Sequence, residues 1–497
     1  MFRVPFWLGL LLLSANVTFA VEDPGKPNVL LIITDEHNFR TLGCYREQMP
    51  REQAEMWGPE VTVSTPQLDR IAHEGVICTR AYATSPVCSP CRAAMITGRY
   101  PHNTGVPTNN LVLDRSIPTL ADRLNDAGYR TAFFGKWHLA GTGKPEWSPD
   151  IDGGFQFKKF MFNRGHWKKF AIMNGAPRVD SKRNGVPSYG LAGADETSFA
   201  TDWLTDRALE YITDASDEKP FFAVISYPDP HGPNTVRPPY DHRFDDLRFS
   251  PPRTFQTGIP APKFLGAKLK HGSFRGANMS AYFGMVQCID DSVGKLLRRL
   301  ESSGQLDESL VVMTSDHGDL CYEHDRLNKG NPYEGSARVP MLLRFPKRIP
   351  SGQVFAEPFG TVDLTPTVMG LLGEDKAPDD EGRDLSGQLT GDAVQSEKGP
   401  GQAVTFLRSS GTKVNWVAAV DSRYKLVLSV SDDPWLFDNE QDPDELLNFF
   451  RRPGTDGVAQ RLGKALEDYL QSTSDPAFEN QAIKASLAAA LSVGPAE

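Results

Sequence analysis

In this 497-residue chain, the run Cys88-Ser89-Pro90-Cys91-Arg92 combines residue types and spacing that can do chemistry. Pro90 suits the first turn of a helix, where its missing N–H is no loss, and Ser89 is a good N-cap residue. Ala93, Ala94 and Met95 favour continuation of that helix, and Gly98 can end it. Cys88 then sits at the positive end of the helix dipole, where free N–H groups attract an anion. Arg92, one turn in, adds a fork of donors matched to the oxygens of a tetrahedral anion. Spacing alone leaves other chemistries open. Cys-x-x-Cys is also the spacing of a redox pair or of half a zinc site. No second Cys-x-x-Cys and no His-x-x-x-His completes a zinc set.

Four apolar runs each lead directly into a charged cluster. Residues 29–34 run into Asp35-Glu36-His37, and residues 130–134 into Gly135-Lys136-Trp137-His138. Residues 221–226 lead to Pro228-Asp229-Pro230-His231, and residues 310–314 to Asp316-His317-Gly318-Asp319. Uninterrupted apolar runs predict strands buried on both faces, as in a parallel sheet. Helical patterns at 119–127, 199–215 and 279–303 precede the second, third and fourth runs. The alternation predicts a doubly wound α/β fold with a mainly parallel sheet flanked by helices. In such folds ligands bind beyond the carboxyl ends of the strands, so the four clusters can converge there.

The chain is long enough for a large core, with 39% hydrophobic and 23% charged residues. Its 53 Lys and Arg against 63 Asp and Glu give a formal net charge of −10, which argues against general nucleic-acid binding. Arg3, the apolar run 6–13 and Thr18-Phe19-Ala20 read as a signal peptide over residues 1–20. The expected location is exported, periplasmic or secreted, without stable insertion in a membrane. Six cysteines are too few for a disulfide scaffold, and their pairing stays open.

The α/β unit is expected over residues 21–400, ending at a Pro/Gly-rich linker around 398–401. A smaller α+β subdomain follows over 401–480. Runs 416–420 and 424–429 form an antiparallel hairpin there, with a further strand at 435–438 and an amphipathic helix over 458–470. Residues 481–497, Ala-rich after Lys484, are set apart as a tail, helical or loose.

Extended through Thr97-Gly98-Arg99, the cysteine run resembles the signature of the type I sulfatases of the alkaline phosphatase superfamily. The likeness continues through residues 28–35, Gly135-Lys136-Trp137-His138, Asp316-His317-Gly318, and Lys329-Gly330 with Tyr333-Glu334-Gly335-Ser336. It reaches Leu436-Phe437-Asp438 and Asp442-Pro443-Asp444-Glu445 near the C-terminus. The resemblance implies that a maturation enzyme converts Cys88 to formylglycine, whose hydrate attacks a sulfate ester. It implies that Asp35, Glu36, Asp316 and His317 hold one divalent cation. Calcium is the first expectation, with manganese or another ion open because imidazole suits transition metals. Arg92, Lys136 and Lys329 would stabilise the anionic transition state. Asp316 would assist deprotonation of the nucleophile, and His138 would help a second hydroxyl expel sulfate. His231 would contact sulfate or protonate the leaving alcohol. Two positions depart from the pattern: Glu36 stands where many relatives have aspartate, and His317 where many have asparagine.

The expected function is therefore hydrolysis of an organic sulfate ester, on a sulfated carbohydrate. One alternative is a phosphonate or phosphate ester hydrolase of the same superfamily; another is a non-catalytic glycan-binding relative. His37, His73, His102 and His324 read as surface or hydrogen-bonded core residues rather than ligands. His324 and Arg326, together with the loops 163–167 and 237–242, are candidates for lining a substrate pocket.

Overall fold

A computed structural model describes residues 25–214, 219–265, 273–391 and 403–492. The apolar N-terminal run and the linker around 398–401 lie outside the described residues. Strands in the order Gln353–Phe355, Val76–Cys78, Met341–Arg344, Ser309–Ser315, Asn28–Asp35, Phe221–Pro230, Arg130–Lys136 and Met161–Phe162 form one eight-stranded sheet. The Asn28–Asp35 strand lies at its centre, parallel to both neighbours. Arg130–Lys136 extends the parallel set, so all four chemistry-bearing strands end at one edge.

Alternation along the central strand explains the layers. Val29, Leu31 and Ile33 join one core cluster, with Cys91 and Met95 of the Cys88–Thr97 helix, Leu120 and Leu124 of Leu120–Asp126, and Leu364 and Val368 of Leu364–Leu371. Leu30 and Ile32 join the opposite cluster, with the helices Pro66–His73, Ala200–Ile212 and Gly276–Ser302. A strand apolar on both faces needs helices on both faces, which is the doubly wound fold the sequence predicts. Each fully buried aliphatic side chain contributes about 1.5–3 kcal/mol relative to exposure.

Gly135 permits a close approach within the parallel set. Its φ is 104°, and a Cβ there would lie 1.9 Å from the Ser226 carbonyl oxygen on the adjoining strand. The sheet also departs from the pure parallel pattern. Met341–Arg344 runs antiparallel to both Ser309–Ser315 and Val76–Cys78.

Thr405–Arg408, Trp416–Val420, Tyr424–Ser429 and Trp435–Asp438 form a separate antiparallel sheet. The helices Asp456–Ser472 and Gln481–Leu491 cover one face, where Leu462, Leu466, Ile483 and Leu487 meet Val417 and Leu426. The second helix occupies the stretch set apart as a tail, so the packed subdomain continues to residue 491. On the other face Trp416, Val427 and Phe437 pack on Tyr82, Leu320 and Tyr333 of the larger unit.

A buried charge cluster lies under that contact. Lys425 Nζ donates to Glu334 Oε1 and Glu445 Oε1, each at 2.7 Å, and to the Pro332 carbonyl at 2.6 Å. Burial works against the Glu334 carboxylate, but Lys425 and Arg338 hold its pKa down at about 2. Burial pushes Glu445 up to about 7 despite Lys425, with Glu334 alongside adding to the rise. An unfolded glutamate titrates near about 4.3. The raised folded value gives a contribution to stability that is full below about pH 4 and lost as pH rises through about 7. The Tm of the native protein is therefore expected to fall, relative to Glu445→Gln, by a few degrees between pH 5 and 8. A Tm difference that stays constant over that range contradicts the assignment.

Candidate active site

The Cys88–Thr97 helix starts at Cys88 with Val87 as its N-cap, and ends at Gly98 with φ 71°. The expected capping by Ser89 is not what forms: Ser89 lies inside the first turn, and its Oγ donates to the His138 carbonyl at 2.7 Å. That bond ties the helix start to the end of the Arg130–Lys136 strand. Cys91 faces away and lies 3.2 Å from Thr361 Oγ1, while burial raises its pKa. All six cysteines are buried and none is joined in a disulfide in this structure.

Cys88 Sγ lies 3.2 Å from His317 Nε2 and 3.9 Å from Asp35 Oδ1. Ligand-capable atoms of Asp35, Cys88, Asp316 and His317 all fall within 4.8 Å of one another. Arg92 fixes this cluster from one side. Its Nε donates to Asp316 Oδ2 at 2.8 Å, one terminal nitrogen to the Lys136 carbonyl and Ser226 Oγ at 2.7 Å each, and the other lies 3.4 Å from Asp35 Oδ2. Lys136, fully buried, donates to Asp35 Oδ2 and, at 2.9 Å, to His166 Nε2.

Two carboxylates this close and fully buried are costly unless cations compensate them. Burial works against Asp35, yet Lys136 with His231 and His166 holds it well below the usual carboxylate range. Asp316 moves the other way, because burial and then the Asp35 charge raise it. Burial opposes the charged form of His317, but Asp316 pushes it up to about 9. The Cys88 sulfur is held well below an ordinary thiol: burial opposes this, while Lys136, Lys329 and His317 favour the anion. Two carboxylates and an imidazole around one point fit a divalent cation, by the chemistry of the donor set.

Glu36, the fourth expected ligand, lies beside this cluster. Its φ is 65°, a left-handed conformation that costs a non-glycine residue about 1 kcal/mol or more. The side chain turns toward Lys329 Nζ at 3.1 Å and His231 Nε2 at 3.0 Å, in contacts too poorly aligned to be hydrogen bonds. Among the described residues its carboxylate is outside the four-residue cluster. Burial pushes Glu36 up to about 8, with Lys329 pulling in the other direction. Both oxygens are buried without a hydrogen-bond partner, which leaves them available to a cation or a water.

The remaining expected residues surround Cys88. Lys329 Nζ donates to His231 Nε2 at 2.6 Å, and burial with the neighbouring cations keeps His231 well below its ordinary pKa. His138 has φ 62° and stands beside Cys88; burial lowers its pKa. Thus Asp35, Glu36, Cys88, Arg92, Lys136, His138, His231, Asp316, His317 and Lys329 come together in one buried cluster.

His166 joins them from the loop 163–167, although the sequence offers it only as a loop residue. Its ring stacks on His231 with centroids 3.4 Å apart and planes 7° from parallel, and burial, then Lys136, lowers its pKa to about 3. Gly165 makes the approach possible: its φ is 117°, and a Cβ there would lie 2.5 Å from the Trp167 ring. Lys168 anchors the far side through Asp229 at 2.5 Å. Ser226, which holds Arg92, is a second addition; it is the last residue of the apolar run before the Asp229–His231 cluster.

Other candidates have structural partners. His37 bonds Thr34 and Thr41, and burial lowers its pKa to about 3. His73 pairs with Glu47, His102 with Asp475, and His324 stacks on Tyr333 at 3.7 Å. Arg326 donates to the Leu265 carbonyl. Arg237 forks onto Asp202 at 2.7 and 2.9 Å, so the 237–242 loop is fastened to a helix at its start.

A family model described as Sulfatase matches residues 27–374, and one described as N-sulphoglucosamine sulphohydrolase, C-terminal, matches residues 322–472. The uncharacterized sulfatase YidJ of Escherichia coli (strain K12) is 28% identical over 479 residues, covering 91% of this chain and 88% of its own. The N-acetylglucosamine-6-O-sulfatase of Bacteroides thetaiotaomicron is 24% identical over 527 residues, covering 91% and 88%. A solved enzyme in complex with its substrate D-glucosamine-2-N,6-O-disulfate aligns with TM-score 0.73 at 21% identity, over 92% of this chain and 100% of that one. The phosphonate monoester hydrolase of Agrobacterium radiobacter aligns with TM-score 0.68 at 22% identity, over 90% and 95%. With most of its length matched by the family model, this chain belongs to the sulfatase family of the alkaline phosphatase superfamily.

Proposed function

We propose that the protein hydrolyses sulfate esters of a sulfated carbohydrate, outside the cytoplasm, using Cys88 matured to formylglycine. The observation that carries this reading is the position of Cys88 Sγ. It sits at a helix start, 3.2 Å from His317 and beside Asp35 and Asp316, among Arg92, Lys136 and Lys329. In the matured enzyme that sulfur is replaced by oxygen, and the hydrated aldehyde supplies the hydroxyl that attacks sulfur. A divalent cation held by Asp35, Asp316 and His317, with the unpartnered Glu36 carboxylate beside them as the fourth expected ligand, calcium first, would polarise the sulfate and favour ionisation of that hydroxyl.

The chain's own groups do the rest. Arg92 holds Asp316 and Asp35 in place, and so presents both carboxylates to one point. Lys136 and Lys329 meet negative charge as it develops on the transferring group. His231, kept neutral by burial and cationic neighbours, accepts from Lys329 Nζ at 2.6 Å, so a proton given up by the Lys329 ammonium can pass through His231 Nε2 to the leaving oxygen. His138, beside Cys88 and also lowered by burial, is placed to accept a proton from the nucleophile's hydroxyls. The net reaction cleaves one S–O bond with water, giving the alcohol and sulfate.

The glycan assignment is supported by the relatives named for N-acetylglucosamine-6-O-sulfate and for a glucosamine disulfate. Export is supported by the N-terminal apolar run, and no helix among the described residues is long and apolar enough to cross a membrane. Paired aryl sulfate and aryl phosphate esters test the reaction class. The sulfate is expected to be favoured in kcat/KM by at least about 100-fold. A reversed preference would move the assignment to phosphate or phosphonate ester hydrolysis, and glycan binding without metal-dependent turnover to a non-catalytic relative.

A further inference from the structure

Between the edge strand Met161–Phe162 and the Ala200–Ile212 helix, the chain builds two hairpins that are not part of the main sheet. Phe170–Met173 pairs with Ala176–Val179, and Lys182–Arg183 pairs with Val186–Pro187. Their turns are Asn174-Gly175 and Asn184-Gly185, with φ of 52° and 77° in the first and 53° and 79° in the second. Two positive φ values in an Asn-Gly pair are the two-residue hairpin turn, so backbone chemistry alone defines these arms.

Residues 164–190 carry six Lys or Arg and one Asp, in a chain whose net charge is −10. Internal pairing uses only part of this charge. Lys168 is buried on Asp229, and Lys169 and Arg178 share Asp180 at 3.5 and 3.0 Å. Lys182 and Arg183 are exposed, and among the described residues their side chains make no ion pair or hydrogen bond. A hairpin kept charged merely for solubility needs no single sign and no particular location.

The location is specific. His166, at the base of this segment, touches Lys136 and stacks on His231 inside the candidate site. Trp167 packs on Tyr189 with centroids 4.9 Å apart, which returns the far end of the second hairpin to the site's rim. Lys144 Nζ lies 4.8 Å from the Tyr189 ring centroid. Arg183 is opposite Val186, three residues from Tyr189, or about 10 Å of strand. The segment that carries the Lys-Arg tip is thus rooted at the reacting centre through His166, Trp167 and Tyr189.

We infer that the Lys182–Arg183 hairpin is an accessory binding arm for further sulfate groups of a polymeric sulfated glycan, next to the residue being hydrolysed. This rests on the sulfatase reading above and extends it from one sulfated sugar to a chain. Arg and Lys donors on a solvent-facing arm would hold anionic groups through charge-assisted hydrogen bonds that weaken with salt.

The test uses dextran sulfate as the polyanion, with neutral dextran as control. Isothermal titration compares the native protein, Lys182→Ala/Arg183→Ala, and a basic-pair control on the C-terminal subdomain, Arg451→Ala/Arg452→Ala. Expected are binding of dextran sulfate that weakens between 50 and 300 mM salt, on the order of a tenfold loss in the hairpin variant, and no loss in the control. Hydrolysis of a small aryl sulfate should have the same kcat/KM in all three proteins. Absence of binding by the native protein overturns the inference, as does equal binding by the hairpin variant or an equal loss in the control. Binding to phosphatidylglycerol vesicles through the hairpin, without binding to dextran sulfate, would make the arm a membrane contact and also overturn it. Titration needs no turnover, so failure of the sulfatase reading registers separately, as absent aryl sulfate hydrolysis.

Discussion

Cys88→Ala is expected to lower kcat on an aryl sulfate by about 10,000-fold or more, while the fold is retained. The sulfur is the atom around which the site is arranged, with His317 at 3.2 Å and Asp35 at 3.9 Å. Removing it leaves the positioning cations in place but no atom to attack the ester. Alanine suits the first turn of the Cys88–Thr97 helix, so the thermal transition should stay cooperative. Cys88→Ser is expected to lose turnover similarly, because a serine hydroxyl has no second oxygen with which to release sulfate. Steady-state kinetics beside a thermal melt make the distinction. Full activity in folded Cys88→Ala would overturn the nucleophile assignment.

Asp316→Asn should produce the second large loss, about 1,000-fold or more in kcat/KM, together with loss of bound metal. Asp316 accepts from Arg92 Nε at 2.8 Å and has His317 Nε2 3.4 Å from its other oxygen. It therefore touches both the fixed cation and the neighbouring metal-ligand candidate. Asparagine keeps the shape but removes the charge that two buried carboxylates offer a cation. Elemental analysis of native and variant protein after dialysis, beside kinetics, checks both halves. An unchanged metal content with unchanged kcat/KM would remove Asp316 from the metal site. Loss of activity with metal retained would limit its role to proton transfer.

The parts of this architecture that were legible are those where one strand carries both burial and chemistry. Residues 29–34 are apolar on both faces and end in Asp35, and residues 310–314 end in Asp316. A parallel sheet must bring those ends together, and the two strands are neighbours in it. Edge elements were less legible. Met341–Arg344 is a four-residue strand with three apolar residues, whose antiparallel direction depends on the path of the connection, which hydropathy does not record. Side-chain direction was likewise hidden. Glu36 is next to Asp35 in sequence, but a left-handed backbone turns its carboxylate toward Lys329 and His231. His166 is 30 positions from Lys136, and its approach depends on Gly165 and on the Lys168–Asp229 anchor. Ser89 has the chemistry of a cap, yet the helix begins one residue earlier and its hydroxyl holds the His138 carbonyl instead.

Mass spectrometry of the tryptic peptide containing Cys88, from protein made in its native host, tests the central claim most directly. Replacement of the CH2–SH group by an aldehyde predicts a peptide lighter than the thiol form by about 18 Da, with the carbonyl open to a hydrazide reagent. An unmodified thiol at Cys88 in protein that turns over sulfate esters at full rate would contradict it.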